Sequence, residues 1–251
     1  MSDVGNAIRK IRLHGDRFED LIYRRGRDVL WEEGILCSCW NMDSQQPRYD
    51  CAACNGRGRI FKPPVLSRVL LTSITQNAEF EETAGMFHVG DAVMTVPKYM
   101  YKRNDDGTFN MNVKEVVPAY NVGMFDIITV TDDDYKSSEV LIRNQPMYQR
   151  PADTLLNDHI IDIQVVRKTD PVTGEIIDYE PDVDYTHENN RIVWLPGGRS
   201  PEDGEQYSVT YHHRPSFTVL TTLPKPRYQD GQLLPRYVVL RYRAAGFEKP
   251  V

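Results

Sequence analysis

The sequence predicts a mainly β protein: a short N-terminal helical segment and a zinc knuckle, a β-barrel, and then a second, β-sandwich-like block. Three observations carry this expectation. Apolar residues at helical spacing are confined to the first thirty positions. From about residue 64 the chain breaks into short stretches of β-branched and aromatic residues divided by turn signals, the texture of a barrel or sandwich. All four cysteines of the 251-residue chain lie between positions 37 and 54.

In the first thirty residues Ile8, Ile11 and Leu13 are followed at helical intervals by Phe18, Leu21 and Ile22, and Asp16 follows Gly15 at a turn-start. Arg24 and Arg25 stand where the negative end of a helix favours cations, and Gly26 is placed to end it. Arg27 to Glu32 alternates, with Val29 and Trp31 on one side, which reads as a short strand. Strands are then expected at Val69 to Thr75, Ala92 to Val96, Val113 to Val117, Phe125 to Thr131 and Glu139 to Arg143. Asn104-Asp105-Asp106-Gly107 is a turn signal, and residues 104 to 112 look like a long exposed hairpin tip.

Beyond Arg150-Pro151, strands are expected at Ile160 to Arg167, Arg191 to Leu195 and Gln206 to His213, with a hairpin turn at Thr169 to Glu175. Pro224, Pro226 and Pro235 predict an extended tail from Pro215 up to a final strand at Arg236 to Arg243. The expected division is therefore 1–63 for the helix and four-cysteine region, 64–150 for the barrel, and 151–251 for the second β domain with its tail.

Composition narrows the function classes. The net charge is −6, and it is not strongly positive in any segment: +2 over 1–63, −4 over 64–150 and −4 over 151–251. A protein that grips nucleic acid by neutralising phosphates needs clustered cations, and only Arg9-Lys10-Ile11-Arg12 and Arg24-Arg25-Gly26-Arg27 approach that. The opening residues carry charge in every turn and do not resemble a secretory signal, and no apolar run approaches eighteen residues. Four clustered cysteines fit a reducing compartment better than a disulfide scaffold.

The sharpest chemical signal is Cys37-Ser38-Cys39, eleven residues, then Cys51-Ala52-Ala53-Cys54. Four thiolates supply the soft tetrahedral donor set that Zn2+ prefers, and two close pairs separated by a loop clamp that loop. Gly56 and Gly58 follow the second pair and let the backbone turn its amide hydrogens toward the sulfurs. An iron–sulfur centre would use the same ligands, and a redox dithiol at Cys51 and Cys54 would leave the first pair without a role. A four-cysteine site has no open coordination position, so one structural Zn2+ per chain is expected.

No catalytic motif stands out: there is no G-x-S-x-G, no G-x-x-x-x-G-K, no H-E-x-x-H and no dinucleotide fingerprint. His14, His88, His159 and His187 stand alone, and His212-His213 should point to opposite faces of a strand. Asp132-Asp133-Asp134 reads as a solvated turn before it reads as a calcium site. The chain is therefore not expected to be an enzyme.

Several segments carry resemblances. Cys51 to Gly58 resembles the C-x-x-C-x-G-x-G unit of the DnaJ chaperone zinc region, in one copy where that region has four, which implies shared local metal geometry. Asp182 to Thr186, Arg191 to Leu195 and Pro201 to Tyr211 resemble a β module common in virion proteins of tailed bacteriophages. The short helix followed by Cys37-Ser38-Cys39-Trp40 and Cys51 to Phe61 resembles zinc-containing proteins encoded near phage head and tail junction genes. Gly90 to Val96 with Phe125 to Val130 is similar to the small barrel of head-closure, or stopper, proteins.

These resemblances imply a non-enzymatic neck component: a ring of six or twelve copies that closes the filled head and joins it to the tail. The implied neighbours are portal or adaptor and tail proteins, with double-stranded DNA passing through and no membrane. The implied location is the virion, assembled in the host cytoplasm. A typical stopper is shorter and lacks the cysteines, so a tail-terminator or baseplate component is the alternative within that class. A zinc-ribbon nucleic-acid-binding protein is the alternative outside it.

Overall fold

A computed structural model describes residues 15–54, 56–73, 91–147, 150–170, 172–222, 228–229 and 232–243. Helix α1 spans Gly15–Arg25 and ends as the sequence predicts: the Gly26 N–H closes onto the Ile22 carbonyl at 2.7 Å, where a Cβ would strike that oxygen. Strand β1 (Arg27–Glu32) leads into β2 (Gly34–Leu36), β3 (Trp40–Asn41), β4 (Gln46–Pro47) and β5 (Arg59–Phe61). Then come β6 (Val65–Ser73), β7 (Ala92–Val96), β8 (Tyr99–Arg103), β9 (Phe109–Val116) and β10 (Ile127–Val130). β11 (Tyr135–Ile142), β12 (Ile160–Thr169), β13 (Ile176–Tyr179), β14 (Tyr185–Glu188), β15 (Arg191–Trp194) and β16 (Gln206–His213) follow. β17 (Ser216–Thr222), the short β18 (Tyr228–Gln229) and β19 (Gln232–Leu233), and β20 (Arg236–Tyr242) complete the described strands.

Six strands close a barrel in the order β1-β10-β17-β20-β7-β6, every neighbour antiparallel. Val29, Trp31, Val69, Met94, Ile128, Val219, Val238 and Leu240 share its buried core. Each such side chain stabilises the fold by roughly 1.5–3 kcal/mol through removal of apolar surface from water. Ile22 from α1 joins this core, as does Ala119 from a 3-10 turn (Pro118–Asn121) whose Ala119 N–H reaches the buried Ser67 hydroxyl at 3.2 Å.

Strand pairing regroups the expected division. Residues 64–150 supply only three of the six barrel strands; β1 comes from the N-terminal region, and β17 and β20 come from the segment expected to hold a second domain and a surface tail. All four residues of β10 are buried, so the strand needs a partner on each edge and a covered surface on each face. Those partners, β1 and β17, lie about ninety residues away on either side of it. Local patterning identifies β1, β6, β7, β10 and β20 but misses β17, which falls in the stretch expected to be an extended tail, and it carries no mark of closure at such separation.

The second β block is an insertion between β10 and β17. β11-β16-β12-β13 form a four-stranded antiparallel sheet, and the β14–β15 hairpin packs on its inner face through Tyr185 and Ile192 against Tyr207, Val209 and Tyr211. Trp194 meets Tyr179, Tyr185 and Tyr207 edge-on at 5.0, 6.0 and 5.3 Å. Buried carboxylates fasten its loops: Asp153 accepts from Tyr207 (2.7 Å) and Arg143 (2.9 Å), and Asp184 accepts from the Glu180 N–H (2.9 Å) and the Arg199 guanidinium (2.8 Å). The turn expected at Thr169 to Glu175 joins β12 to β13, with Gly174 at φ +73°. No helix among the described residues is long and apolar enough to cross a membrane.

Two arms leave the barrel. One is the β8–β9 hairpin, tied to α1 by Tyr23, whose ring meets Tyr101 and Phe109 edge-on at 5.4 and 5.2 Å. The other is the β2–β5 ribbon, which carries the cysteines.

Candidate metal centre

The β2–β5 ribbon fixes the outer pair of cysteines. Gly34, Ile35 and Leu36 pair with Phe61, Ile60 and Arg59, and the ladder extends one step further, the Cys37 N–H donating to the Gly58 carbonyl at 2.9 Å. Cys37 and Cys54 are thereby buried at the end of the ribbon. The inner pair is placed by a small second ribbon, Trp40 and Asn41 against Pro47 and Gln46. Its turn is closed by the Asn41 side chain, which accepts the amides of Asp43 and Ser44. The Cys51 N–H then returns to the Arg48 carbonyl at 3.3 Å.

The four sulfurs so placed lie within 4.8 Å of one another, with Cys37 and Cys51 3.8 Å apart and Cys39 and Cys54 3.5 Å apart. They are free thiols. A metal held by four thiolates at about 2.3 Å in a tetrahedron places its sulfurs about 3.8 Å from each other, so the cluster already has the spacing a metal ion requires. All four cysteines singled out in the sequence are brought to this one site.

Backbone amides aim at the sulfurs as the glycines after Cys54 suggest. The Gly58 N–H donates to Cys54 Sγ at 3.3 Å. Gly58 holds φ +73°, and a Cβ there would lie 2.9 Å from the Trp40 ring, so this position needs glycine for both conformation and space. The N–H groups of Cys54 and Ala53 hold the Cys51 thiol down to about 7, and burial pushes the Cys39 thiol up to about 12. The two directions have different causes: amide hydrogens favour charge on Cys51, and burial disfavours it on Cys39.

Two partners of the site had no local signature. Trp40 closes over Gly58, and at the root of the arm Arg59 stacks over the Phe125 ring at 4.3 Å. Phe125 sits at φ +70° beside Asp126, whose buried carboxylate accepts the Gly34 and Gly123 amides at 2.9 and 2.8 Å and fixes the start of the ribbon. A polar residue between Phe125 and the apolar run from Ile127 was the only available clue.

The remaining candidates fall elsewhere. Asp132 and Asp133 accept Arg27 at 3.0 and 3.2 Å, which makes them partners of the barrel's first strand. Arg27 is thus neutralised, leaving Arg24 and Arg25 of that basic run exposed. Arg9 to Arg12, His14 and His88 lie outside the described residues. His212 and His213 do face opposite ways: His212 pairs with Asp162 at 2.9 Å, and His213 is buried. His187 is exposed on β14. No protein-family model matches the chain, and no curated protein matches it significantly.

Proposed function

We propose that the chain is a structural subunit of the neck of a tailed bacteriophage: a head-completion or head-closure ring, stapled by one Zn2+ per chain, that joins the DNA-filled head to the tail. The observation that carries this reading is a rigid closed barrel bearing arms whose apolar residues face solvent in a lone chain. β9 leaves Met111, Val113 and Val116 half exposed, and the β2–β5 ribbon sets Ile35 beside Ile60 on one open face. Exposure on this scale suits elements that neighbouring copies and adjacent neck proteins cover on assembly.

The inserted sheet adds an electrostatic argument. Residues 135–213 carry 7 basic and 14 acidic side chains, more net negative charge than the whole chain. An acidic wall repels phosphates and lets double-stranded DNA slide past ungripped. Zn2+ is the metal that a closed set of four thiolates selects without redox chemistry, and its part is to order a knuckle with little core of its own. The protein acts by assembly rather than by catalysis, in the virion, between portal or adaptor and tail proteins.

Electron microscopy of the purified protein tests this reading: closed rings of six or twelve copies are expected, and a monodisperse monomer at assembly concentrations rules it out. The position of the chain in the particle separates a neck ring from the tail-terminator or baseplate alternative. A nucleic-acid-binding knuckle is the second reading, favoured by Tyr49, 82% exposed beside Arg48. Against it, Arg48 is engaged by Asp50 at 3.0 Å, and a Zn2+ with four thiolates leaves the knuckle two further negative charges. Salt-sensitive binding of DNA by the full chain at low ionic strength would favour that second reading.

A further inference from the structure

The inserted sheet joins the barrel through two short connections, residues 131–134 and 214–215, and the three strands β11, β12 and β16 all meet the barrel at one end. His213 occupies that end. It is the last residue of β16, paired with Tyr135 at the start of β11 and with Ile160 at the start of β12, and it is 1% exposed. Its ring is held from both sides: Nδ1 lies 3.1 Å from the Arg214 carbonyl and Nε2 lies 3.0 Å from the Ser137 hydroxyl. The carbonyl can only accept, so Nδ1 carries the proton and Nε2 accepts from Ser137. This is the neutral imidazole, with both of its hydrogen bonds made.

From His213 an aromatic chain runs into the barrel. Tyr135 meets the His213 ring edge-on at 6.4 Å and packs on Tyr242 of β20 at 5.7 Å, and Tyr242 meets the buried Phe217 of β17 at 5.6 Å. The loop before β12 adds the other ties: the Arg214 N–H reaches the His159 carbonyl at 3.1 Å, His159 at φ +56° lies 3.5 Å from Glu32 of β1, and Arg243 pairs with Asp158 at 3.6 Å.

We propose that this junction is an acid-sensitive hinge, latched by the neutral His213 ring, whose protonation frees the inserted sheet to move against a barrel that stays folded. A proton at Nε2 turns that atom into a donor, so the Ser137 hydroxyl must reverse, and it places a charge between the Tyr135 and Tyr211 rings. The groups facing the ring from each packed element offer little compensation. β11 supplies Tyr135 and Ser137, and Glu139 further along; β16 supplies Tyr211 and the repelling His212; β20 supplies Tyr242 one ring removed, behind Tyr135; the loop before β12 supplies Asn157, bonded to Tyr211, and His159. Burial is the largest influence on the ring and holds it below the usual imidazole value of 6.5, outweighing the hydrogen bond to the Arg214 carbonyl and the weaker pull of Glu139. The sign follows: the folded chain resists a proton that the unfolded chain accepts, so the latch is complete above pH 6.5 and is progressively lost as the pH falls below it.

Amide hydrogen exchange on the full chain between pH 7.5 and pH 5, corrected for the intrinsic rate, tests the hinge alongside an NMR titration of the His213 ring. Protection of residues 131–136, 158–160 and 213–216 is expected to fall at least tenfold, with β7 and β20 unchanged, and the midpoint should coincide with the ring titration. His213→Gln should remove the pH dependence. Junction protection that stays constant while the ring titrates overturns the proposal, as does a pH dependence that survives in His213→Gln. Should that variant not fold, the wild-type comparison decides: coincident midpoints support the hinge, and midpoints more than about one pH unit apart overturn it.

Discussion

The indole Nε1–H of Trp31 donates to Asp126 Oδ2 at 2.8 Å, joining residues 95 positions apart. Trp31 lines the barrel and Asp126 is 2% exposed, so this bond ties the barrel core to the root of the cysteine-bearing arm, because the same carboxylate also holds the amides of Gly34 and Gly123. Asp126→Ala strands three donors, two of them part-buried, at a cost of about 1–3 kcal/mol for each donor left without a partner. A destabilisation of at least about 3 kcal/mol is expected in urea unfolding. Asp126→Asn keeps one acceptor oxygen and should cost distinctly less.

Loss of one sulfur should unmake the knuckle and spare the rest. Cys51→Ser removes a ligand from a set whose spacing fits a metal, while the barrel and inserted sheet have hydrophobic cores of their own. Elemental analysis is expected to find about one Zn2+ per wild-type chain and almost none in the variant. Amide exchange should rise across residues 37–60 and remain unchanged in β7 and β16. Absence of zinc from wild-type protein purified without chelator would remove the metal from the account.

The same knuckle shows what the sequence made legible. The Cys37-x-Cys39 and Cys51-x-x-Cys54 spacing foretold a single site because each pair is local and only one loop had to close. Gly58 announced its amide for the same reason. The barrel's membership was not legible: Ile127 to Val130 reads as a strand, but nothing in those four residues names Val29 or Phe217 as neighbours. Closure is settled by which apolar faces remain uncovered once all strands exist, a property of the whole chain. Arg59 over Phe125 was hidden on the same ground, since 66 residues separate a cation and a ring that are each unremarkable alone.

Glycine at 58 should be essential to metal retention although it is not a ligand. Gly58→Ala places a Cβ 2.9 Å from the Trp40 ring at φ +73° and displaces the amide that donates to Cys54 Sγ. Competition with a chromophoric chelator is expected to show at least tenfold weaker zinc binding, a loss in the range seen when groups supporting a metal ligand are removed. Binding equal to wild type would mean that the amide contributes nothing.

Acid should release the metal before it unfolds the sheet. Metal–sulfur bonds need thiolates, and although the Cys54 and Ala53 amides hold the Cys51 thiol down to about 7, protons compete for the ligands as the pH drops, so affinity falls with it. In the sheet, the Arg199 guanidinium, with the Glu180 and Arg199 amides, holds the Asp184 carboxyl below its ordinary 3.8. Its stabilisation is present above that value and is lost as the pH drops through the lowered one. Zinc release is therefore expected well above pH 4, and loss of the sheet's tertiary signal below it. Arg199→Ala should move only the second transition, toward higher pH.

The exposed arms give the assembly reading its sharpest test. Met111 and Val113 are 50% and 43% exposed and lie opposite the register break between Tyr101 and Lys102, where no β8 residue pairs with them. Replacing both by Asp removes little that a lone chain buries, so the urea midpoint and circular dichroism should match wild type. A surface that neighbouring copies cover would instead have to bury two charges without partners, which disfavours association strongly. Sedimentation is expected to show wild-type protein as rings and Met111→Asp/Val113→Asp as monomer at the same concentration. Rings that persist in the double variant would place the subunit contact elsewhere and leave β9 facing solvent or a different neighbour.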